Sequence, residues 1–244
     1  MKLLYQNYNK VYLSEENGQK VVTKIFENLF CWENETRMIS FFKKQGLPVP
    51  EILNSEPLKN SYLFLEGDGY NTLIRNSKDK IGEMLSMLNR IHTLIPVEGI
   101  YQFDRRRITL LEKANNLLKK GVIGDITFEK LGNLCNRYSP SKFGIVHGDF
   151  RPSNFIHNNG LRGMIDLEFS GIDDQNKDLA YLWVSAVEIE KSLNQPLIKS
   201  FNKTSYFDKT SFDFWRAYMH VMILLNPFVN NSQAWAKNLD DLVS

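Results

Sequence analysis

Cysteine and histidine are scarce. Cys31 and Cys135 stand far apart with no CxxC spacing, and His92, His147, His157 and His220 are equally scattered. The cysteines fit no disulfide framework, and a zinc site would need mostly carboxylate ligands, so both read as small apolar fillers in a reducing compartment. An excess of one charge is also missing: 30 basic against 28 acidic side chains leave +2 with histidine neutral. Without long basic runs, nucleic acid is not the expected partner. The longest apolar stretch, near Val221 to Leu225, is too short to span a bilayer, and the residues after Met1 lack the apolar core of a signal peptide. A cytoplasmic protein with no membrane or nucleic-acid partner is therefore expected. Its 244 residues, 43% hydrophobic, suffice for one large core or two smaller ones without a staple.

The first third reads as strands. Lys10 to Leu13 and Lys20 to Phe26 flank Asn17-Gly18, a strong hairpin signal because both residues tolerate positive φ. Phe30 to Gln45 carries a helical apolar pattern, ends in Lys43-Lys44 and stops at Gly46-Leu47-Pro48, which predicts a helix C-terminus. Ile52-Leu53 and Ser61 to Glu66 are two further strands. Gly67-Asp68-Gly69 breaks the pattern and marks a hinge. Helices follow: Lys80 to Leu94, Ile108 to Lys120, Phe128 to Tyr138, and the chain from Lys177 on, where Thr210 and Asp213 have capping-box spacing. One β-rich insert, Phe143 to Glu168, interrupts them. The fold class is α+β: a β-rich N-lobe over 1–66, a linker over 67–75, and a mostly helical C-lobe over 76–244 with an embedded hairpin.

That insert carries the chemistry. Ile145-Val146-His147-Gly148-Asp149-Phe150-Arg151-Pro152-Ser153-Asn154 is followed by Ile165-Asp166-Leu167-Glu168. An apolar strand delivers His-Gly-Asp, and a hairpin returns to set Asp166 opposite the loop. Asp149 is then a carboxylate able to accept the proton of an attacking hydroxyl, while Asn154 and Asp166 supply the hard oxygens that magnesium prefers. Asp149 and Asn154 are five apart, the spacing of the Asp and Asn in H-R-D-x-x-x-x-N of protein kinases. On the residues alone, Asp149 as a turn cap and Asn154 and Asp166 as satisfiers of local backbone groups is the bland alternative.

These segments, with Asp178-Leu179-Ala180 after them, resemble the signature of the aminoglycoside phosphotransferase and choline kinase superfamily, small-molecule kinases with a two-lobed protein-kinase-like fold. The resemblance implies Asp149 as catalytic base and Asn154 and Asp166 as magnesium ligands, with catalytic loop 145–168 and acceptor-binding helices over 177–244. His147 and Asp178 read as scaffold residues. A kinase site needs a strand lysine for the nucleotide phosphates and a helix carboxylate to pair with it. Lys24 and Glu35 have those places, with Lys20, Glu27 and Glu33 as nearby competitors, and backbone groups of Leu65, Glu66 and Gly67 match the hinge that bonds the nucleotide base. Arg151, two residues past the base, is either solvent-exposed or a guanidinium that stabilises charge on the transferred group. Glu168 is either a solvated carboxylate or part of the acceptor pocket.

One element departs from the family pattern. The loop between the first two strands is usually glycine-rich, because backbone amides approach phosphate closely where no Cβ intervenes. Here it reads Gln6-Asn7-Tyr8-Asn9. The expected activity is transfer of the γ-phosphoryl of ATP, or another nucleoside triphosphate, with Mg2+ to a hydroxyl of a small molecule. An amino alcohol such as choline or ethanolamine comes first as acceptor, with an aminoglycoside or other sugar hydroxyl as the alternative. Trp215 and Tyr218, three apart in an aromatic-rich terminal stretch, are candidates for an ammonium cage, their alternative being helix core. The missing glycines motivate a competing reading, a catalytically silent nucleotide-binding scaffold.

Overall fold

The structure, a computed structural model, describes residues 1–6, 9–76, 80–103, 106–140, 142–226 and 232–243. They form two compact units: Met1–Tyr101 with Ile145–Ile172, and Gln102–Gly144 with Asp173–Ser244. The segment 145–168, placed by sequence reading in the helical C-lobe, thus belongs to the same unit as the N-terminal sheet.

The first unit opens with β1 (Lys2–Gln6), β2 (Lys10–Glu16) and β3 (Gln19–Ile25), then α1 (Leu29–Lys44), β4 (Ile52–Glu56) and β5 (Lys59–Leu63). The five strands make an antiparallel sheet in the order β1-β2-β3-β5-β4. Asn17 and Gly18, both at positive φ, turn β2 into β3 in the register Glu16↔Gln19. The Asn28 side chain caps α1 by accepting from Cys31 N at 2.9 Å. The helix ends after Lys43-Lys44, where Gly46 turns left-handed and Leu47 N bonds Phe42 O. Met38, Ile39 and Phe42 of α1 are buried with Val21 of β3 and Tyr62 of β5. After β6 (Asp68–Gly69) come α2 (Tyr70–Asn76) and α3 (Lys80–His92), and the chain re-enters the unit through β7 (Phe143–Val146), β8 (Phe155–His157) and β9 (Leu161–Met164), leaving along β10 (Gly171–Asp174). Within the expected linker, Asp68 and Gly69 pair with His157 and Ile156, completing the small sheet β6-β8-β9.

The second unit is helical: α4 (Arg106–Lys119), α5 (Asp125–Arg137), α6 (Asn176–Ile189), α7 (Asn194–Phe201), α8 (Lys209–Leu225) and α9 (Ser232–Val243). The capping-box spacing at Thr210 does not start α8. Asp208 is the cap, accepting from Ser211 N at 2.7 Å, and Asp213 instead pairs with Lys209 and Arg216. Among the described residues, no helix is long and apolar enough to cross a membrane.

Every residue from Asp173 to Asp178, at the head of α6, is buried. Asp174 compensates its own desolvation by accepting at Oδ2 from Tyr138 (3.1 Å), Trp215 Nε1 (3.2 Å) and Ser211, and at Oδ1 from Asn176 N (3.0 Å). Removing it strands several buried donors at once. Asp174→Ala is therefore expected to lower unfolding free energy by at least about 1–3 kcal/mol, the cost of one buried group left unpaired, in a denaturant titration.

Candidate active site

The apolar strand β7 runs into His147-Gly148, and the turn that follows is a steric requirement. Gly148 sits at φ +85°, and a Cβ there would lie 1.8 Å from Phe169 O. This turn carries Asp149 out of the strand. His147 is wholly buried against the rings of Phe150 and Phe155, its Nδ1 accepts from Asp149 N at 3.3 Å, and its carbonyl accepts from Ser170 Oγ at 2.6 Å. It holds the loop by packing.

Asp149 is buried, and its Oδ2 accepts from Arg151 Nη2 at 2.5 Å and Asn154 Nδ2 at 2.9 Å. Among the described residues its Oδ1 accepts no hydrogen bond. The Asn154 amide also donates to Asp149 O at 2.9 Å, which fixes its orientation and leaves Oδ1 as the atom it presents elsewhere. Ile165 N donates to Asn154 O at 2.9 Å, so the β8–β9 hairpin returns Asp166 beside this turn.

Lys24, next to the end of β3, is 7% exposed and encircled by carboxylates. Its Nζ lies 2.6 Å from Asp166 Oδ1, 2.7 Å from Glu35 Oε2 and 3.3 Å from Glu168 Oε2. Oxygens of the three acids lie within 4.8 Å of one another. Burial alone would pull the Lys24 ammonium down, but the three carboxylates outweigh it and push it up. Glu35 is pushed up, because burial exceeds the effect of Lys24, whereas for Asp166 the Lys24 ammonium overcomes burial and holds the carboxyl low. Asp166 also takes φ +65°, a left-handed conformation that aspartate tolerates better than most residues. Of the competing residues, Lys20 is exposed and pairs with Glu66.

Glu168 is pushed up to about 7, by burial first and then by Asp166 and Glu35, against the pull of Lys24. The native state therefore holds this proton more tightly than the unfolded chain. The resulting stability is complete below about pH 4.5 and lost as pH rises through about 7. Glu168→Gln is expected to raise the unfolding free energy of the ligand-free protein by up to about 3 kcal/mol at pH 8 and to leave it unchanged at pH 4, read by thermal or chemical denaturation at both pH values.

Three further side chains hold the cluster, one of them Asn9 of the glycine-free loop. Tyr62 OH donates to Glu35 Oε1 at 2.6 Å, Asn34 Nδ2 donates to the carbonyls of Glu168 and Ser170 at 2.9 and 2.8 Å, and Asn9 Nδ2 donates to Glu168 Oε2 at 2.7 Å. Asn7 and Tyr8, the middle of the glycine-free loop, lie outside the described residues. Leu65, Glu66 and Gly67 connect β5 to β6. Leu65 packs over Gly163, where a Cβ would lie 2.4 Å from its Cδ1, and Gly67 fits under His157 O, 2.3 Å from where its own Cβ would be. In the second unit Trp215 is fully buried with its indole on Asp174, and Tyr218 is 6% exposed. The aromatic enrichment of 200–244 goes largely into that unit's interior.

The sequence pattern of the phosphotransferase enzyme family matches residues 7–215, most of the chain. The chain belongs to this family. Its fold is shared with small-molecule kinases of known structure. A choline/ethanolamine kinase family protein from Mesorhizobium loti is 15% identical, with 99% of this chain and 86% of that one covered at a TM-score of 0.72. Aminoglycoside phosphotransferase APH(4)-Ia, solved with AMP-PNP and hygromycin B, is 16% identical over 100% and 92% of the two chains, with a TM-score of 0.70. Aminoglycoside 2'-phosphotransferase-IIIa, solved with GDP, is 16% identical over 99% and 90%, with a TM-score of 0.69. Comparison with curated proteins gave no match. The phosphotransferase is thus placed by family, and its α+β kinase-like fold by structure.

Proposed function

We propose that this phosphotransferase moves the γ-phosphoryl group of a nucleoside triphosphate to a hydroxyl of a small molecule, with Asp149 as the base. The observation that carries the reading is the pairing pattern at Asp149. Arg151 and Asn154 occupy Oδ2 and hold the carboxylate in place, leaving Oδ1 for the proton of an incoming alcohol. As the alcohol oxygen bonds to phosphorus and the bond to the β-phosphate oxygen breaks, that proton passes to Asp149. Lys24, held by Glu35 and screened from water, would position phosphate oxygens, and Arg151 would meet charge on the transferred group. Leu65 to Gly67 would bond the base.

The donor set fits magnesium. Asn154 Oδ1 and the Asp166 carboxylate are hard oxygens, and three carboxylates around one lysine leave the cluster negative. Magnesium, when bound with a nucleotide, neutralises phosphate charge as a Lewis acid. Asn154 and Asp166 are the residues that would hold it.

An amino alcohol such as choline or ethanolamine is the first acceptor class, supported by the fold likeness to a choline/ethanolamine kinase family protein. A sugar hydroxyl, including that of an aminoglycoside, is the second, supported by the likeness to APH(4)-Ia. ATP and GTP, each with Mg2+, should be incubated with the protein and a panel of amino alcohols, aminoglycosides and simple sugars. Phosphorylated product with one acceptor class assigns it. Nucleotide binding without product on any acceptor would favour a silent scaffold.

A further inference from the structure

Asn9, at the head of β2, has no part in the chemistry described so far, yet it is buried and both ends of its amide are engaged. Its Oδ1 accepts from Glu27 N at 3.1 Å, and its Nδ2 donates to Glu168 Oε2 at 2.7 Å across 159 positions of sequence. Glu168 is tied down in turn. Its carbonyl accepts from Asn34 Nδ2 at 2.9 Å, and its Oε2 lies 3.3 Å from Lys24 Nζ. One hydrogen bond to a buried carboxylate therefore links the start of β2 to the segment just past Asp166, beside the phosphate lysine. The four residues Gln6 to Asn9 include no glycine, so each carries a Cβ that limits how closely its amide approaches a phosphate. Where close backbone approach is restricted, a fixed side-chain tie is another way to hold that part of the sheet in place.

The geometry points to Asn9 and Glu168 as a positioning clasp that holds the segment just past Asp166 against the start of β2, beside Lys24, for binding of the nucleotide's phosphates. This rests on reading the site as a nucleoside triphosphate site. The clasp acts on the phosphates and not on the base, because Asn9 and Glu168 gather around Lys24 while Leu65 to Gly67 lie between β5 and β6.

The test uses the full chain with Mg2+ and compares dissociation constants for AMP-PNP and adenosine, or GMP-PNP and guanosine if the wild type prefers guanine. Asn9→Ala is expected to weaken triphosphate binding about tenfold, as suits loss of a hydrogen bond to a charged group, while nucleoside binding changes less than about twofold. Asn9→Asp sets two carboxylates together and should lose more. Glu168→Gln keeps an acceptor for Asn9. In a Glu168→Ala background that acceptor is gone, and adding Asn9→Ala should cost no further triphosphate affinity. Melting temperatures monitor folding, and the Glu168→Ala background keeps the test valid if Asn9→Asp is unstable. Equal losses for triphosphate and nucleoside, wild-type binding by Asn9→Ala, or an undiminished further loss from Asn9→Ala in the Glu168→Ala background would each overturn the clasp. A wild type that binds neither nucleotide would remove the nucleotide reading itself, and the clasp with it.

Discussion

Asparagine in place of Asp149 is expected to lower turnover by about 10²- to 10⁴-fold, the usual contribution of a positioned general base. Nucleotide affinity should change little. The substitution keeps the shape of the side chain and an oxygen to accept from Arg151 and Asn154, but it removes the group proposed to take the alcohol's proton. The decisive comparison is kcat against the nucleotide dissociation constant. A base gives a large fall in kcat with binding preserved. If Asp149 only caps the turn, the variant should lose thermal stability and retain most of its turnover. His147 provides the contrast, because it is buried among aromatic rings and its replacement should destabilise the loop as a whole.

The second large effect is at Lys24. Its ammonium is the counter-charge for Glu35, Asp166 and Glu168, so Lys24→Met removes the proposed phosphate contact and also leaves two buried carboxylates and the half-buried Asp166 facing one another. Breaking a buried pair from one side typically costs about 3–5 kcal/mol. The sign of the pH dependence follows from the same cluster. In the wild type Lys24 is pushed up, so its contribution is complete below the ordinary lysine range and lost only at more alkaline pH. In the variant the carboxyls lose that pull and hold protons more tightly in the native state than in the unfolded chain. The deficit should therefore be largest near pH 8 and shrink toward pH 5. Adding Glu35→Gln should recover part of the stability and none of the activity. Denaturant titrations at the two pH values check this, and a deficit independent of pH would contradict it.

How much of this was legible beforehand depends on the range of each interaction. The β2–β3 turn, the end of α1 and the Asp149–Asn154 spacing are local, and the sequence read them directly. Choosing Lys24 over Lys20 was harder, because residues four apart in a strand share a face and alternation does not separate them. The choice depends on which lysine meets the returning hairpin, and only the fold brings Asp166 there. The partners of Asn9 and Asn34 were not legible for a related reason. An asparagine near a turn or helix start ordinarily reads as a local cap, whereas these two bond to Glu168 and its neighbours 159 and 134 positions away. In the second unit the buried polar run Asp173 to Asp178 gave no periodic signal, and the capping-box spacing at Thr210 misled because Asp208, two residues earlier, took the cap. Trp215 shows that aromatic residues at helical spacing first serve packing: its indole is a buried donor to Asp174.

The central claim is that the site around Asp149 transfers a phosphoryl group to a small-molecule alcohol. It is tested most directly by 31P NMR of the full chain with Mg2+, ATP or GTP and the acceptor panel, run in parallel with Asp149→Asn. The expected result is a new phosphomonoester signal growing in step with nucleoside diphosphate and absent with the variant. Bound nucleotide that is never converted with any acceptor, or conversion that proceeds unchanged in Asp149→Asn, would contradict the claim.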